Sequence, residues 1–495
     1  MREAGPLVKF YAMKFYKVSN LGCKVAQFEG QQVRSLLERF GLLEAGSENP
    51  DLCVINTCAV TASAASKSRQ AVRALARKFP DARLIVLGCC ASSGPADLGD
   101  LPQLALLADH RRGILFALET FLAHHLGRRS NGPDNAGNLL SGDSYANIDI
   151  QTDCPRNVKD IFQPYPVEAF AGRHRAILKV QDGCDARCNY CIIPSLRPNL
   201  ASAPKSFVLD QARRFLDAGH REIVLSGIFL GAYGRSTAKK IRITEPQTPF
   251  LDLIAELLAL PGLGRLRLSS LEPMDLTPEL IDLLAASEKF PHHLHLPLQS
   301  GSDPILRRMG RQYRCDDYLR AVDAASSRLD DLALTTDLIV GFPSETEADF
   351  DATLRIAQRC GFAKIHIFPF SPRQGTPAYN WQNEMPSAEI IKDRAARLAG
   401  LEARLALDFR RRFLSRSVRV LVETSKERRH NGPQPAETGG FLCGGRADQY
   451  FPVRFTADAD LDNRFVYVRV DQVPAHDQPA RGTLVGIADN PVNVR

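Results

Sequence analysis

Cys184, Cys188 and Cys191 are spaced C-x3-C-x2-C on a loop that follows an apolar run, Ala176 to Val180. Thiolates this close in sequence can close on one metal centre without long-range help from a fold. A structural zinc or a complete iron–sulfur cluster takes four protein ligands. Three ligands leave one iron open, and an open iron on a [4Fe-4S] cluster can chelate the amino and carboxylate groups of S-adenosylmethionine. Reduction then yields a 5′-deoxyadenosyl radical. Two plainer readings stand beside this one: a zinc knuckle with a distant fourth ligand, and three unrelated cysteines. The spacing is far more selective than a lone C-x2-C pair.

A second set of thiols is dispersed in sequence. Lys14 to Val18 reads as a strand ending in Ser19-Asn20-Leu21-Gly22-Cys23, with a helix to Phe40. Asp51 to Ile55 is an apolar strand ending in Asn56-Thr57-Cys58, followed by a helix over Ala62 to Phe79. Arg83 to Leu87 is the next strand, running into Gly88-Cys89-Cys90. Strands alternating with helices predict a parallel, doubly wound sheet. Cys23, Cys58 and Cys89 then each follow the carboxyl end of a strand, along the edge where such sheets bind ligands. Cysteine is also a small core residue; that suffices for Cys53 inside its strand, and Cys90 stays open as a rival to Cys89.

From Ala176 onward six strand–helix pairs follow. The strands are Ala176–Val180, Glu222–Ile228, Leu266–Ser270, His293–Leu298, Leu334–Val340 and Lys364–Pro369. The helices lie near Ser206–Ala218, Leu251–Leu260, Pro278–Ser287, Asp316–Ser327 and Glu347–Arg359. Six units predict a partial (β/α)6 barrel, whose site gathers at the carboxyl ends of the strands. Small or polar clusters stand there: Ser226-Gly227, Ser269 to Pro273, Gln299 to Gly301, Gly341 to Pro343 and Ser371-Pro372. Glu272 suits ribose hydroxyls, and Gly227 and Gly341 allow close backbone approach by a cofactor. His293 and His295 share one strand face, and His295 is read equally as a lumen residue or a structural one. Cys315 and Cys360 read as packing residues.

The chain of 495 residues is 44% apolar and 24% charged, with net charge +7 and twelve cysteines. This is the composition of a soluble globular protein of several domains. No window approaches a membrane span of roughly 20 apolar residues, and Met1 to Asn20 has no signal-peptide core. The expectation is a cytoplasmic protein, where reduced thiols serve metals or catalysis. The charge permits a nucleic-acid partner without establishing one. The predicted divisions are an α/β domain over 1–127, a linker over 128–170 containing an incidental Cys154, the barrel over 171–416, and a small β-barrel over 417–495. A long charged helix, Ser387 to Arg416, closes the third. Four short β segments, Val418–Glu423, Phe451–Phe455, Phe465–Val470 and Thr483–Ile487, make up the last. Arg410, Arg411, Arg412, Arg416, Arg419, Lys426, Arg428, Arg429 and His430 form a candidate phosphate-binding surface.

Four stretches together resemble the methylthiotransferase family of radical S-adenosylmethionine enzymes, over nearly the whole chain. They are Leu21-Gly22-Cys23-Lys24-Val25, Asn56 to Thr61, Lys67-Ser68-Arg69-Gln70, and Asp182 through Pro194. The Gly-Cys-Lys-Val opening is most similar to the branch acting on N6-threonylcarbamoyladenosine at tRNA position 37, and the C-terminal segment resembles that family's RNA-binding TRAM module. The resemblance implies two [4Fe-4S] clusters, a radical-generating one on Cys184, Cys188 and Cys191 and an auxiliary, sulfur-carrying one on Cys23, Cys58 and Cys89. It implies that Tyr190, Ser226, Gly227, Ser269, Glu272, Gly341 and Phe368 surround S-adenosylmethionine. It implies a tRNA partner whose adenosine 37 is splayed from the anticodon loop, an electron donor such as flavodoxin or ferredoxin, no membrane, and a monomer. Isopentenyl-type tRNA adenosines, a ribosomal protein, or plain RNA binding by a metal-stabilised protein are the alternatives. Ala26, Cys90, Ser92 and Pro198 depart from the family pattern; proline at 198, where glycine is usual, alters the path of the cluster loop.

Overall fold

The computed structural model describes residues 13–110, 113–126, 162, 165–170, 172, 174–239, 248–427 and 440–488. Cys154 and nearly all of the expected linker lie outside them. The chain divides into two compact units that exchange segments. One holds Met1–Glu168, Gln181–Asp185 and Cys191–Phe207, and the other Ala169–Val180, Ala186–Tyr190 and Val208–Arg495.

The first unit is built on β1 (Phe15–Asn20), α1 (Lys24–Arg39), β2 (Leu43–Glu44), β3 (Leu52–Thr57), α2 (Ala62–Lys78), β4 (Arg83–Gly88), β5 (Leu104–Ala108) and α3 (Ile114–Leu126). The strands pair in parallel in the order β2-β1-β3-β4-β5. Alternation along each strand sends side chains to opposite faces. Leu52, Val54, Ile85 and Leu87 pack with α1 and α3, whereas Cys53, Ile55, Leu84 and Val86 pack with α2. Both faces are covered, as in a doubly wound sheet. The two-residue β2 is too short to leave an alternating pattern in the sequence.

In the second unit β6 (Arg175–Asp182) passes into the first unit at its last two residues. There it meets β7 (Ala201–Ser202), which follows the single turn α4 (Ile193–Leu196). The barrel continues as α5 (Lys205–Asp217), β8 (Glu222–Gly227), α6 (Thr248–Ala259), β9 (Arg265–Leu268), α7 (Pro278–Ala285), β10 (His293–His295), α8 (Asp303–Arg308), α9 (Cys315–Ser326), β11 (Ala333–Val340), α10 (Glu347–Cys360), β12 (Lys364–Pro369) and α11 (Ala388–Arg411). Hydrogen bonding splits the wall into β6-β8-β9 and β10-β11-β12, linked by one bridge between Ser270 and His295. One expected strand is much shorter than its apolar run: β10 stops at His295, because Pro297 has no N–H to donate and Leu298 donates its own to Thr336 Oγ1. Among the described residues no helix is long and apolar enough to cross a membrane.

The C-terminal strands β13 (Ser417–Glu427), β14 (Phe441–Ala447), β15 (Pro452–Ala457), β16 (Phe465–Gln472) and β17 (Ala480–Ile487) close into a barrel in the order β13-β14-β15-β17-β16. That is one strand more than expected. Gly444 and Gly445 mask β14 in the sequence, and the fold needs glycine at 445, where a Cβ would fall 2.0 Å from the Leu421 carbonyl oxygen.

Candidate active site

The loops after β1, β3 and β4 bring Cys23, Cys58 and Cys89 together at the carboxyl edge of the first unit's sheet. Gly22, at φ +129°, allows the approach: a Cβ there would stand 3.2 Å from Cys58 Cβ and 3.7 Å from its Sγ. Ser68 of α2 clamps the second loop, accepting from the Cys58 N–H at 3.0 Å and donating to the Cys58 carbonyl at 2.8 Å. Burial pushes the Cys58 thiol up and the neighbouring Cys23 adds to it, against the N–H groups of Val60 and Ala59. Burial likewise pushes Cys89 up to about 12; Arg197, which donates to its sulfur, opposes, while Glu29 and Cys58 reinforce the rise. Cys90 has its N–H on Thr57 Oγ1 at 3.2 Å and its side chain in the apolar cluster under α2. Cys53 is buried within β3, as its position implied.

Arg197 is the residue that sequence reasoning missed here. Pro198 drew attention only to the loop's path. The guanidinium reaches both oxygens of Glu29 at 2.9 Å, Asp182 Oδ1 at 2.6 Å and His110 Nε2 at 2.7 Å. Burial works against its charge, but Asp182 and Glu29 overrule it and hold the proton well above the ordinary arginine value. Its carbonyl accepts from the Cys184 N–H at 3.1 Å, so one residue touches a ligand candidate of each set. Gly183, at φ +76°, has no room for a side chain; a Cβ would fall 1.8 Å from Asn199 O. The loop is therefore folded back tightly on residues 197–199.

In the second unit Cys188 and Tyr190 share one arginine. Arg311 Nη1 lies 3.4 Å from Cys188 Sγ and 3.4 Å from the Tyr190 hydroxyl, and Nη2 pairs with Glu272. Burial disfavours the Arg311 charge, yet Glu272 outweighs it and raises the guanidinium well above its usual range. Arg311 was not foreseen; it lies in the loop between α8 and α9, where nothing in the sequence distinguishes it from its basic neighbours. Ser226 and Ser269 are buried at the ends of β8 and β9, and Phe368 is exposed on β12. Glu272 caps a short turn with Asp275, donating its N–H to Asp275 Oδ2 at 3.2 Å. The space at Gly341 (φ +76°) is taken by Ile391, which a Cβ would approach to 2.4 Å. Glycine is thus required there by α11, a reason other than cofactor approach. His295 faces Asp337 at 3.4 Å, with His366 beside it.

The expected phosphate-binding surface is largely engaged in ion pairs and carbonyl contacts. Arg412 and Arg416 pair with Asp331, Arg419 with Asp448, and Arg410 is buried against the carbonyls of Ala475 and Gln478. Arg428, Arg429 and His430 lie outside the described residues.

The donor sets suit iron–sulfur chemistry: Cys23, Cys58, Cys89, Cys184, Cys188 and Cys191 are all free thiols, three to a set, which leaves a coordination position open on each. Residues 178–357 match the model of the radical SAM superfamily, and residues 15–108 match an uncharacterized protein family, UPF0004. The threonylcarbamoyladenosine tRNA methylthiotransferase MtaB of Chlamydia pneumoniae is 35% identical, over 92% of this chain and 96% of that one. The tRNA-2-methylthio-N(6)-dimethylallyladenosine synthase of Mycobacterium bovis is 32% identical, over 92% of this chain and 84% of that one. Among solved structures, the radical S-adenosylmethionine methyltransferase TsrM of Kitasatospora setae superposes with a TM-score of 0.53 at 14% identity, covering 74% of each chain. That likeness concerns the fold alone.

Proposed function

Because the chain belongs to the family of radical S-adenosylmethionine tRNA methylthiotransferases, we propose that it converts N6-threonylcarbamoyladenosine at tRNA position 37 to its 2-methylthio derivative. Its cofactors are S-adenosylmethionine and [4Fe-4S] clusters. The observation that carries the reading is the pair of three-thiol sets, one on the sheet edge and one on the C-x3-C-x2-C loop. Cys184, Cys188 and Cys191 hold the radical-generating cluster, and Cys23, Cys58 and Cys89 hold the auxiliary one. When bound, the first cluster with S-adenosylmethionine supplies the radical that removes hydrogen from adenine C2, and the second supplies sulfur.

The chain's own residues do the rest. Arg311 pairs with Glu272, which would meet the cofactor's ribose, and donates to Cys188, while Ser226, Gly227, Ser269, Tyr190 and Phe368 line the cofactor's place. Arg197 fixes the cluster loop and donates to Cys89. The protein works as a cytoplasmic monomer, with an electron donor of the flavodoxin or ferredoxin type and the C-terminal barrel engaging RNA.

The test is the tRNA nucleoside profile of a deletion strain. The 2-methylthio form of threonylcarbamoyladenosine should vanish and its parent accumulate; loss of a methylthio-dimethylallyl nucleoside instead would give the chain to the other branch. In purified protein Cys188→Ala should abolish reductive cleavage of S-adenosylmethionine, and Cys58→Ala should stop sulfur insertion while leaving much of that cleavage. Equal loss of cleavage in both contradicts the division of labour.

A further inference from the structure

Glu29 is buried on α1, the helix that follows Cys23. Asp182 ends β6 two residues before Cys184, and His110 lies just past β5. Ligand atoms of Glu29, His110 and Asp182 lie within 4.8 Å of one another, a spacing that could hold a metal ion. The cation at their centre is instead the Arg197 guanidinium, which contacts all three. Both oxygens of Glu29 accept from it as a fork, the geometry that gives an arginine–carboxylate pair its strength and direction. His110 accepts at Nε2, so that nitrogen carries no proton and the ring is uncharged.

The backbone of Arg197 is held as firmly as its side chain. Its N–H donates to the Ile193 carbonyl at 2.7 Å, at the end of α4, and its carbonyl accepts from Cys184. At φ −135° and ψ 68° it lies outside the helical region, which the proline at 198 disfavours for the residue before it. From that anchored position the guanidinium also donates to the Cys89 sulfur. Cys89 is buried, whereas Cys23 is exposed and Cys58 partly so. Water can solvate the charge of a thiolate at Cys23; at Cys89 a protein group must do so.

We propose that Arg197 is a positioning residue for the auxiliary cluster: aimed by Glu29, Asp182 and His110, it keeps a positive charge on the Cys89 sulfur and raises the cluster's reduction potential. This rests on the reading of Cys23, Cys58 and Cys89 as that cluster's ligands, and it deepens that reading. Hydrogen bonds to the sulfurs and nearby charge are two of the levers by which a protein sets such a potential. Both point one way here. A donor to sulfur and a cation each favour the reduced, more negative cluster, so electrons from a flavodoxin- or ferredoxin-type donor reach it more readily. Glu29 acts in the opposite sense: its carboxylate aims the guanidinium, but its own charge favours the oxidised state. That opposition separates an electrostatic role for Arg197 from a merely structural one.

The experiment uses the full-length chain with Cys184, Cys188 and Cys191 replaced by alanine and reconstituted with iron and sulfide, so that the auxiliary cluster is observed alone. Its potential is read by redox titration with electron paramagnetic resonance, alongside iron per chain and thermal midpoint. In this background Arg197→Met should shift the potential to more negative values, Arg197→Lys by less, and Glu29→Gln to more positive values. Arg197→Met also leaves Glu29 and Asp182 buried without their counter-charge, and its midpoint should fall. The double variant Arg197→Met, Glu29→Gln relieves that penalty: it should recover much of the midpoint, yet its potential should lie below that of Glu29→Gln alone. Should Arg197→Met fail to fold, the double variant against Glu29→Gln carries the same comparison. A background protein that takes up no [4Fe-4S] cluster overturns the parent assignment of ligands. A cluster that forms, with Arg197→Met matching the background and the double variant matching Glu29→Gln, overturns the tuning role alone and leaves Arg197 a structural counter-charge.

Discussion

Arg311 and Arg197 show what single residues add to the thiols. Glu272 is mostly buried and its charge is met by Arg311. Removing one partner of such a pair costs about 3 kcal/mol, because the other is left without compensation. Arg311→Met is expected to lower the thermal midpoint and to weaken S-adenosylmethionine binding, measured by calorimetry, at least tenfold; Arg311→Lys, which keeps the charge without the planar fork, should fall between. Unchanged binding in Arg311→Met would refute a role at the cofactor. The cysteines were legible in the sequence because metal chemistry fixes both their type and their spacing. The arginines were not. Each is one of many basic residues, and its burial depends on Glu29, Asp182 or Glu272 arriving from distant parts of the chain.

At the scale of elements, periodicity was the dependable signal. β12 falls where the pattern placed it, over Lys364–Pro369, and α10, over Glu347–Cys360, runs one residue past its expected end. β14 escaped because two glycines interrupt its alternation, and α8 because six residues are too few to show a helical period. The turn after β9 carries a titration that only three dimensions reveal. Burial and the neighbouring Glu272 raise Asp275, Arg235 opposes them, and the carboxyl is pushed from 3.8 up to about 7. Between those two values the folded state binds more protons at this site than the unfolded one, so its contribution to stability falls as pH rises from about 4 to 7 and is gone above. Asp275→Asn lacks that slope. The variant should therefore gain stability relative to wild type between pH 5.5 and 8.5, read as the difference in melting midpoints. Parallel midpoints across that range would mean that Asp275 is already ionised at the lower pH.

At the scale of the whole molecule, the two compact units do not correspond to two halves of the sequence. Cys184 and Cys191 belong to one unit and Cys188 to the other. Glu29, only 2% exposed, takes its counter-charge from Arg197, far along the chain. A fragment of residues 1–168 keeps the carboxylate and loses the guanidinium. It should melt well below the intact chain or fail to fold, and a Glu29→Gln version of the fragment should recover part of the loss. A fragment as stable as the parent, by circular dichroism, would show that the sheet closes without Arg197. No reading of local pattern could have anticipated this dependence, since it joins positions that periodicity treats separately.

Asp448 and Tyr450 come from the C-terminal barrel, yet they complete the charge pairing of Arg265 and Arg267 and cover His293. The module that suggests an RNA grip is thus also the stopper of the reaction vessel. Shearing it away would unseat a plug as well as a handle: the arginines would stand uncorked to water from beneath, and a carbon radical generated above them would have a leak to quench it.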